Sequence, residues 1–198
     1  MGVWMLKGNF SIPNILSVFR ILLIPVFVIL YLDEGVLTEK SGYLPGAVLA
    51  LSAATDYFDG LIARKFNMIT EFGKILDPIA DKLTQVVVGV CVVIKHHENT
   101  ALIILMSIVM LKETLMAIFS LRLLKIGKRP SQAKWYGKLG TFAFYLVMML
   151  IILFNLEQWI ITTMVAVVAV IMIFAFVNYG KFYLKTLNNE KNEKLNIQ

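Results

Sequence analysis

The stretch DYFDGLIARKFNMITEFGKILDPIAD, residues 56–81, decides how this chain folds and where its chemistry lies. Asp56 and Asp59 stand three apart and Asp77 and Asp81 four apart, so each pair shares one face of a helix. Gly60, Ala63 and Arg64 continue the first face. A turn around Asn67–Gly73 is predicted to let the two faces meet. Gly60, Ala63 and Gly73 are small where backbones or a ligand must come close. Pro78 is expected in the first turn of its helix, where its missing N–H costs little.

The rest of the chain makes these carboxylates unusual. Of 198 residues, 59% are hydrophobic and only 16% charged, and mean hydropathy is +0.77. A soluble domain is nearer ~45–50% apolar and ~25% charged. The apolar excess is more than a core of this size buries, so lipid is the expected solvent. The net charge of +6 then reads as attraction to an anionic membrane surface, with no nucleic-acid partner. Cys91 lies in an apolar run and implies neither a disulfide nor a thiolate metal site. A carboxylate near lipid is costly unless it is paired, bound to metal or facing a wet cavity.

Six segments approach the ~20 apolar residues that a spanning helix needs. They run roughly Ile12–Leu32, Tyr43–Ala63, Ile75–Ile94, Ala101–Leu124, Leu139–Leu156 and Trp159–Tyr183. The expected fold is therefore an all-α integral membrane protein of six transmembrane helices, with one domain over residues 1–185 and a polar, fraying tail over 186–198. Lys125, Lys128, Arg129, Lys134 and Lys138 follow the fourth segment, and Arg64, Lys65 and Lys74 follow the second. The opposite loops are poor in cations, with Lys40 and Lys95. The positive-inside bias puts both termini and the aspartates on the cytoplasmic side of the cell membrane. Lys7 precedes the first apolar run and no small-residue cleavage site follows it, so that run is read as retained in the membrane. Residues 1–10 read as a short amphipathic helix on the membrane surface. Trp4, Trp135, Tyr136 and Trp159 fall near helix ends and read as interface anchors.

Carboxylate oxygens are hard ligands that suit Mg²⁺ or Mn²⁺ better than zinc. Asp56, Asp59, Asp77 and Asp81 are enough for two such ions, which would clamp an anionic phosphorus centre from both sides. Arg64 stands one turn beyond Gly60, in reach of a further phosphate oxygen. One carboxylate is free to accept a proton from an attacking hydroxyl. His96 and His97 fall at the far loop and read as surface residues.

The full pattern D-x2-D-G-x2-A-R-x8-G-x3-D-x3-D fixes eight positions, each of which cuts random matches about twentyfold. It is the signature of the CDP-alcohol phosphatidyltransferases, which this chain resembles over nearly all of its length. Pro13-Asn14, Ser17 and Arg20 are similar to the Pro-Asn-x-x-Thr/Ser-x-x-Arg opening of many members. The resemblance implies that Asp56, Asp59, Asp77 and Asp81 ligate metal, and that Asp81 is also the general base. It implies that Asn14, Ser17, Asp56, Gly60, Arg64, Thr70 and Gly73 hold the nucleotide of CDP-diacylglycerol. An acceptor hydroxyl would attack the phosphorus attached to diacylglycerol, and CMP would leave. Mg²⁺ or Mn²⁺ and a homodimer are implied with it.

The acceptor is read from helix 4 and the loop after it. Lys112, Arg122 and Lys138 suit an acceptor bearing phosphate, such as glycerol 3-phosphate. Members that use this acceptor usually show an Ala-Arg-Glu-Phe-like run and Gly-Lys-x-Lys-Thr; here the residues are Leu111-Lys112-Glu113-Thr114 and Gly137-Lys138-Leu139-Gly140-Thr141. Members that take phosphatidylglycerol, inositol phosphate or serine remain alternatives. A divalent-cation transporter is a distant one, because it would place carboxylates near mid-membrane and often repeat its halves.

Overall fold

In lipid, a backbone satisfies its own polar groups only as a helix or a closed barrel, and this chain takes helices. The computed structural model describes residues 11–33, 43–66, 70, 72–125 and 135–195. Among them are α1 (Ile12–Leu32), α2 (Tyr43–Lys65), α3 (Gly73–Lys95), α4 (Thr100–Lys125), α5 (Trp135–Leu153) and α6 (Gln158–Leu195), and no strand. Four of these are long and apolar enough to cross a membrane: α1, α4 over Thr100–Leu123, α5, and α6 over Gln158–Leu184. The aspartates and flanking basic residues make α2 and α3 less apolar, and they are not among the four.

Several boundaries differ from the sequence expectation. Helix α3 starts at Gly73, so Pro78 lies in its second turn and removes the bond that would end on the Lys74 carbonyl. Helix α6 runs on through the polar tail to Leu195 where fraying was expected, because nothing in residues 186–195 breaks a helix already propagating. Trp4, the predicted surface helix of residues 1–10 and the basic loop of residues 126–134 lie outside the described residues.

The contacts divide the chain into two units, Met1–His97 with Met148–Leu156, and Glu98–Val147 with Glu157–Gln198. In the first, α1 packs against both α2 and α3. Its core holds Phe27 stacked on Tyr31 at 5.5 Å, with Leu49, Ala80, Val88, Cys91, Val92 and Met148 buried. In the second, α4 packs against α6. Asn99 caps α4, its Oδ1 accepting the Ala101 N–H at 3.1 Å, and its Nδ2 donates to Gln158 Oε1 at 2.9 Å and Thr162 Oγ1 at 3.0 Å. Phe119 stacks on Tyr183 at 4.3 Å. Tyr136 meets Tyr179 edge-on at 4.8 Å and is buried, so it is a core residue and not the interface anchor that its place near a helix end predicted. Gly137 lets that contact form, since a Cβ there would collide with Tyr179 Oη.

The outer surface is far more apolar than that of a soluble protein. Large apolar side chains such as Leu22, Ile29, Phe142 and Val170 face outward, while Asn14, Ser17, Arg20, Asp59, Gln85 and Lys112 are buried. With the apolar helices, this is the organisation of a multi-pass membrane protein.

Candidate active site

Helix α1 carries its polar residues at three-residue steps, Asn14, Ser17 and Arg20, and all three are buried. Neighbours three apart lie close on a helix surface, so they form one polar ridge. Each meets a partner far along the chain. Asn14 Nδ2 donates to Thr70 Oγ1 at 3.0 Å, and the Thr70 hydroxyl lies 3.2 Å from Asn14 Oδ1. Thr70 Oγ1 also accepts the Gly73 N–H at 2.9 Å, which satisfies one of the free donors at the start of α3 and fixes where that helix begins. Ser17 Oγ lies 3.0 Å from the Pro13 carbonyl and donates to Asp77 Oδ1.

Arg20 completes the ridge. Its Nη1 pairs with Asp56 Oδ1 at 2.9 Å and donates to Asp81 Oδ1; its Nη2 donates to Asp59 Oδ2. The guanidinium thus ties α1 to α2 and to α3 at once. The sequence was expected to bring the two aspartate faces together, and Asp56 and Asp81 do meet across α2 and α3; three of the four carboxyl groups also converge on a cation from α1, and the fourth is held one turn away by Ser17. Arg20 is 2% exposed and Asp59 5%, whereas the Asp56 and Asp81 side chains are 51% and 45% exposed. The centre therefore has a buried floor, made by Arg20 and Asp59, and an open rim, made by Asp56 and Asp81.

Sequence reasoning matched Arg20 to a motif and gave it no role. The signal was present, because Arg20 is the one charged residue in the 21 residues of α1, and an ionisable side chain inside an apolar span marks a functional site by default.

Of the other expected site residues, Gly60 lies on α2 beside Asp59, and Arg64 is on α2 with its side chain outside the described residues. Gly73 is buried, and a Cβ there would come 2.5 Å from Asn14 Oδ1 and 3.0 Å from Thr70 Oγ1. Gly73→Ala is therefore expected to push Asn14 off Thr70, at the cost of about one hydrogen bond, and to lower kcat/KM for the nucleotide substrate about three- to tenfold. An unchanged value in steady-state kinetics would show that this close approach is not needed. Lys112, Arg122 and Lys138 belong to the second unit. Lys112 is buried and pairs with Glu113 Oε1 at 2.6 Å, while Arg122 and Lys138 are exposed. Lys112 and Arg122 stand ten residues apart on α4, about 15 Å along its axis. His96 and His97 follow the last turn of α3, at the opposite end from Asp77. Burial, and then the Lys95 charge, lower the His96 imidazole below its ordinary value.

Among the described residues, no three His, Cys, Asp or Glu side chains form a ready metal shell. The donor set nonetheless fits a hard cation. It is carboxylate only, and Asp56 Oδ1 and Asp81 Oδ1 both reach the same nitrogen of Arg20, so two acidic oxygens from two helices are held about one point.

A cluster of carboxyl groups gathered from two helices beside a polar ridge, in a multi-pass apolar protein, is the kind of centre a metal-dependent membrane enzyme would use. The chain belongs to the CDP-alcohol phosphatidyltransferase family, whose model matches residues 10–178. It is similar to the CDP-diacylglycerol–glycerol-3-phosphate 3-phosphatidyltransferase of Escherichia coli (strain K12), with 32% identity over 136 residues, 68% of this chain and 72% of that one. The proteins of the same name from Shigella flexneri serotype 5b (strain 8401) and Shigella boydii serotype 4 (strain Sb227) match with the same identity and coverage.

Proposed function

We propose that this chain transfers the phosphatidyl group of CDP-diacylglycerol to a hydroxyl of glycerol 3-phosphate, releasing CMP, as a step of phospholipid biosynthesis. The observation that carries the reading is the gathering of the signature aspartates of α2 and α3 around one point beside α1. The acceptor follows from the activity named for the relatives at 32% identity.

In this reading Asp56, Asp59, Asp77 and Asp81 hold the divalent cation, Mg²⁺ or Mn²⁺, as two ions. The bound metal supplies charge neutralisation at the diphosphate. Asp81, on the open rim, takes the proton of the attacking hydroxyl. The acceptor oxygen forms a bond to the phosphorus that carries diacylglycerol, the bond from that phosphorus to the bridging oxygen breaks, and CMP leaves with the bridging oxygen. Asn14, Ser17, Gly60, Arg64, Thr70 and Gly73 seat the cytidine nucleotide, and Lys112, Arg122 and Lys138 receive the acceptor phosphate. All six helices cross the bilayer, both termini and the site face the cytoplasm, and the enzyme works as a homodimer. The basic residues at the end of α2 and between α4 and α5 support that orientation.

Purified protein given CDP-diacylglycerol, Mg²⁺ and one acceptor at a time is expected to release CMP with glycerol 3-phosphate. Folded protein that releases CMP with no acceptor would overturn the reaction, and release with phosphatidylglycerol alone would move it to cardiolipin synthesis. Lys112→Met is expected to raise KM for glycerol 3-phosphate about ten- to hundredfold, the worth of one charge-assisted hydrogen bond, with kcat less affected. A fall in melting temperature with KM unchanged would make the Lys112–Glu113 pair structural instead.

A further inference from the structure

Arg20 occupies the point at which the carboxylates meet. One nitrogen touches Asp56 Oδ1 and Asp81 Oδ1, the other Asp59 Oδ2, so the fork engages one oxygen of each of three aspartates. Those oxygens are the hard donors a divalent cation needs. The guanidinium is oriented through its two ends, since Nε is buried with no hydrogen-bond partner among the described residues.

Asp56, Asp59 and Asp81 share the one guanidinium, Asp56 and Asp81 also meet each other, and Asp77 stands one turn away. Like charges this close repel unless a cation lies among them. A single Arg holds the group together but leaves it a strong attractor of further positive charge.

We infer that Arg20 is the resident counter-cation of the aspartate centre, a positioning residue that holds Asp56, Asp59 and Asp81 together whenever no divalent cation is bound and competes with that cation for the same oxygens. Metal loading is then an exchange, in which the guanidinium gives up carboxylate oxygens as the divalent ion takes them. The inference rests on the reading of the four aspartates as metal ligands.

The test is a Mn²⁺ titration of substrate-free protein in lipid nanodiscs, followed by the electron paramagnetic resonance signal of free Mn²⁺, with melting temperatures in EDTA and in Mn²⁺. Arg20→Gln is expected to bind Mn²⁺ at least about tenfold more tightly than the wild type, because the cation competing for the same carboxylate oxygens has been removed. It is also expected to melt well below the wild type in EDTA and to regain most of the difference in Mn²⁺. Arg20→Lys keeps a charge but not the fork, so its Mn²⁺ affinity is expected between the two; it carries the test if the glutamine variant does not fold. Affinity equal to or weaker than the wild type in both variants would overturn the inference, as would a melting deficit that Mn²⁺ leaves untouched. A wild type whose Mn²⁺ binding is insensitive to Asp77→Asn would overturn the assignment of the ligands, and the inference with it. Normal, Asp77-dependent binding with no response to Arg20 would overturn the inference alone.

Discussion

Asp81→Asn is expected to abolish turnover while the protein stays folded. The amide has the size of the carboxyl, and its oxygen still accepts from Arg20 Nη1 as Asp81 Oδ1 does. The Asp81 side chain is 45% exposed, so losing its charge disturbs no fully buried pair. What disappears is the acceptor for the hydroxyl proton and a charged metal ligand. General-base loss alone is typically worth 10²–10⁴, so kcat should fall at least about a thousandfold. Melting temperature and circular dichroism should match the wild type closely. Turnover within tenfold of wild type would remove Asp81 from the base role.

The second large effect concerns stability. Asp59 and Arg20 form the buried floor of the centre, at 5% and 2% exposure. Asp59→Leu leaves the guanidinium without its one buried partner. Breaking a buried pair from one side costs ~3–5 kcal/mol. Arg20 keeps Asp56 and Asp81, so the lower end, about 3 kcal/mol, is expected. Adding Arg20→Met should recover much of that loss, because the Asp56 and Asp81 side chains that it releases already reach solvent. Neither variant should turn over substrate. Melts in EDTA check this: Asp59→Leu that is as stable as the wild type, or a double variant less stable than the single, would show that the pair does not hold the three helices.

Much of the fold was legible because lipid simplifies it. A segment that meets lipid is apolar nearly all round, so Ile12–Leu32 could be bounded from composition alone, to the residue. Caps are less visible, and α3 begins two residues early because Thr70 satisfies the Gly73 N–H. The aspartates were legible as two helical faces because three- and four-residue spacings are local. Their third partner was not. Arg20 lies 39 residues from Asp59 and 61 from Asp81, and no local spacing reports that distance. Asn14 and Thr70, 56 residues apart, were assigned to one ligand by resemblance, yet their contact with each other is a tertiary fact. Tyr136 was misread for a similar reason. An aromatic near a helix end looks the same in sequence whether it faces headgroups or, as here, the ring of Tyr179.

The three-residue steps along α1 also bear on how the protein is made. The helix is synthesised before α2 and α3, and Arg20 has no aspartate of theirs to meet until they have left the ribosome. During insertion it is a bare cation in an otherwise apolar segment, and an Arg near the centre of an inserting helix costs ~2.5–3.5 kcal/mol on translocon scales. The long apolar run from Ile21 to Leu32 supplies most of the hydropathy that carries that residue into the bilayer. Any substitution that lowers the hydropathy of that run is therefore a biogenesis defect before it is a catalytic one, however far it lies from the aspartates.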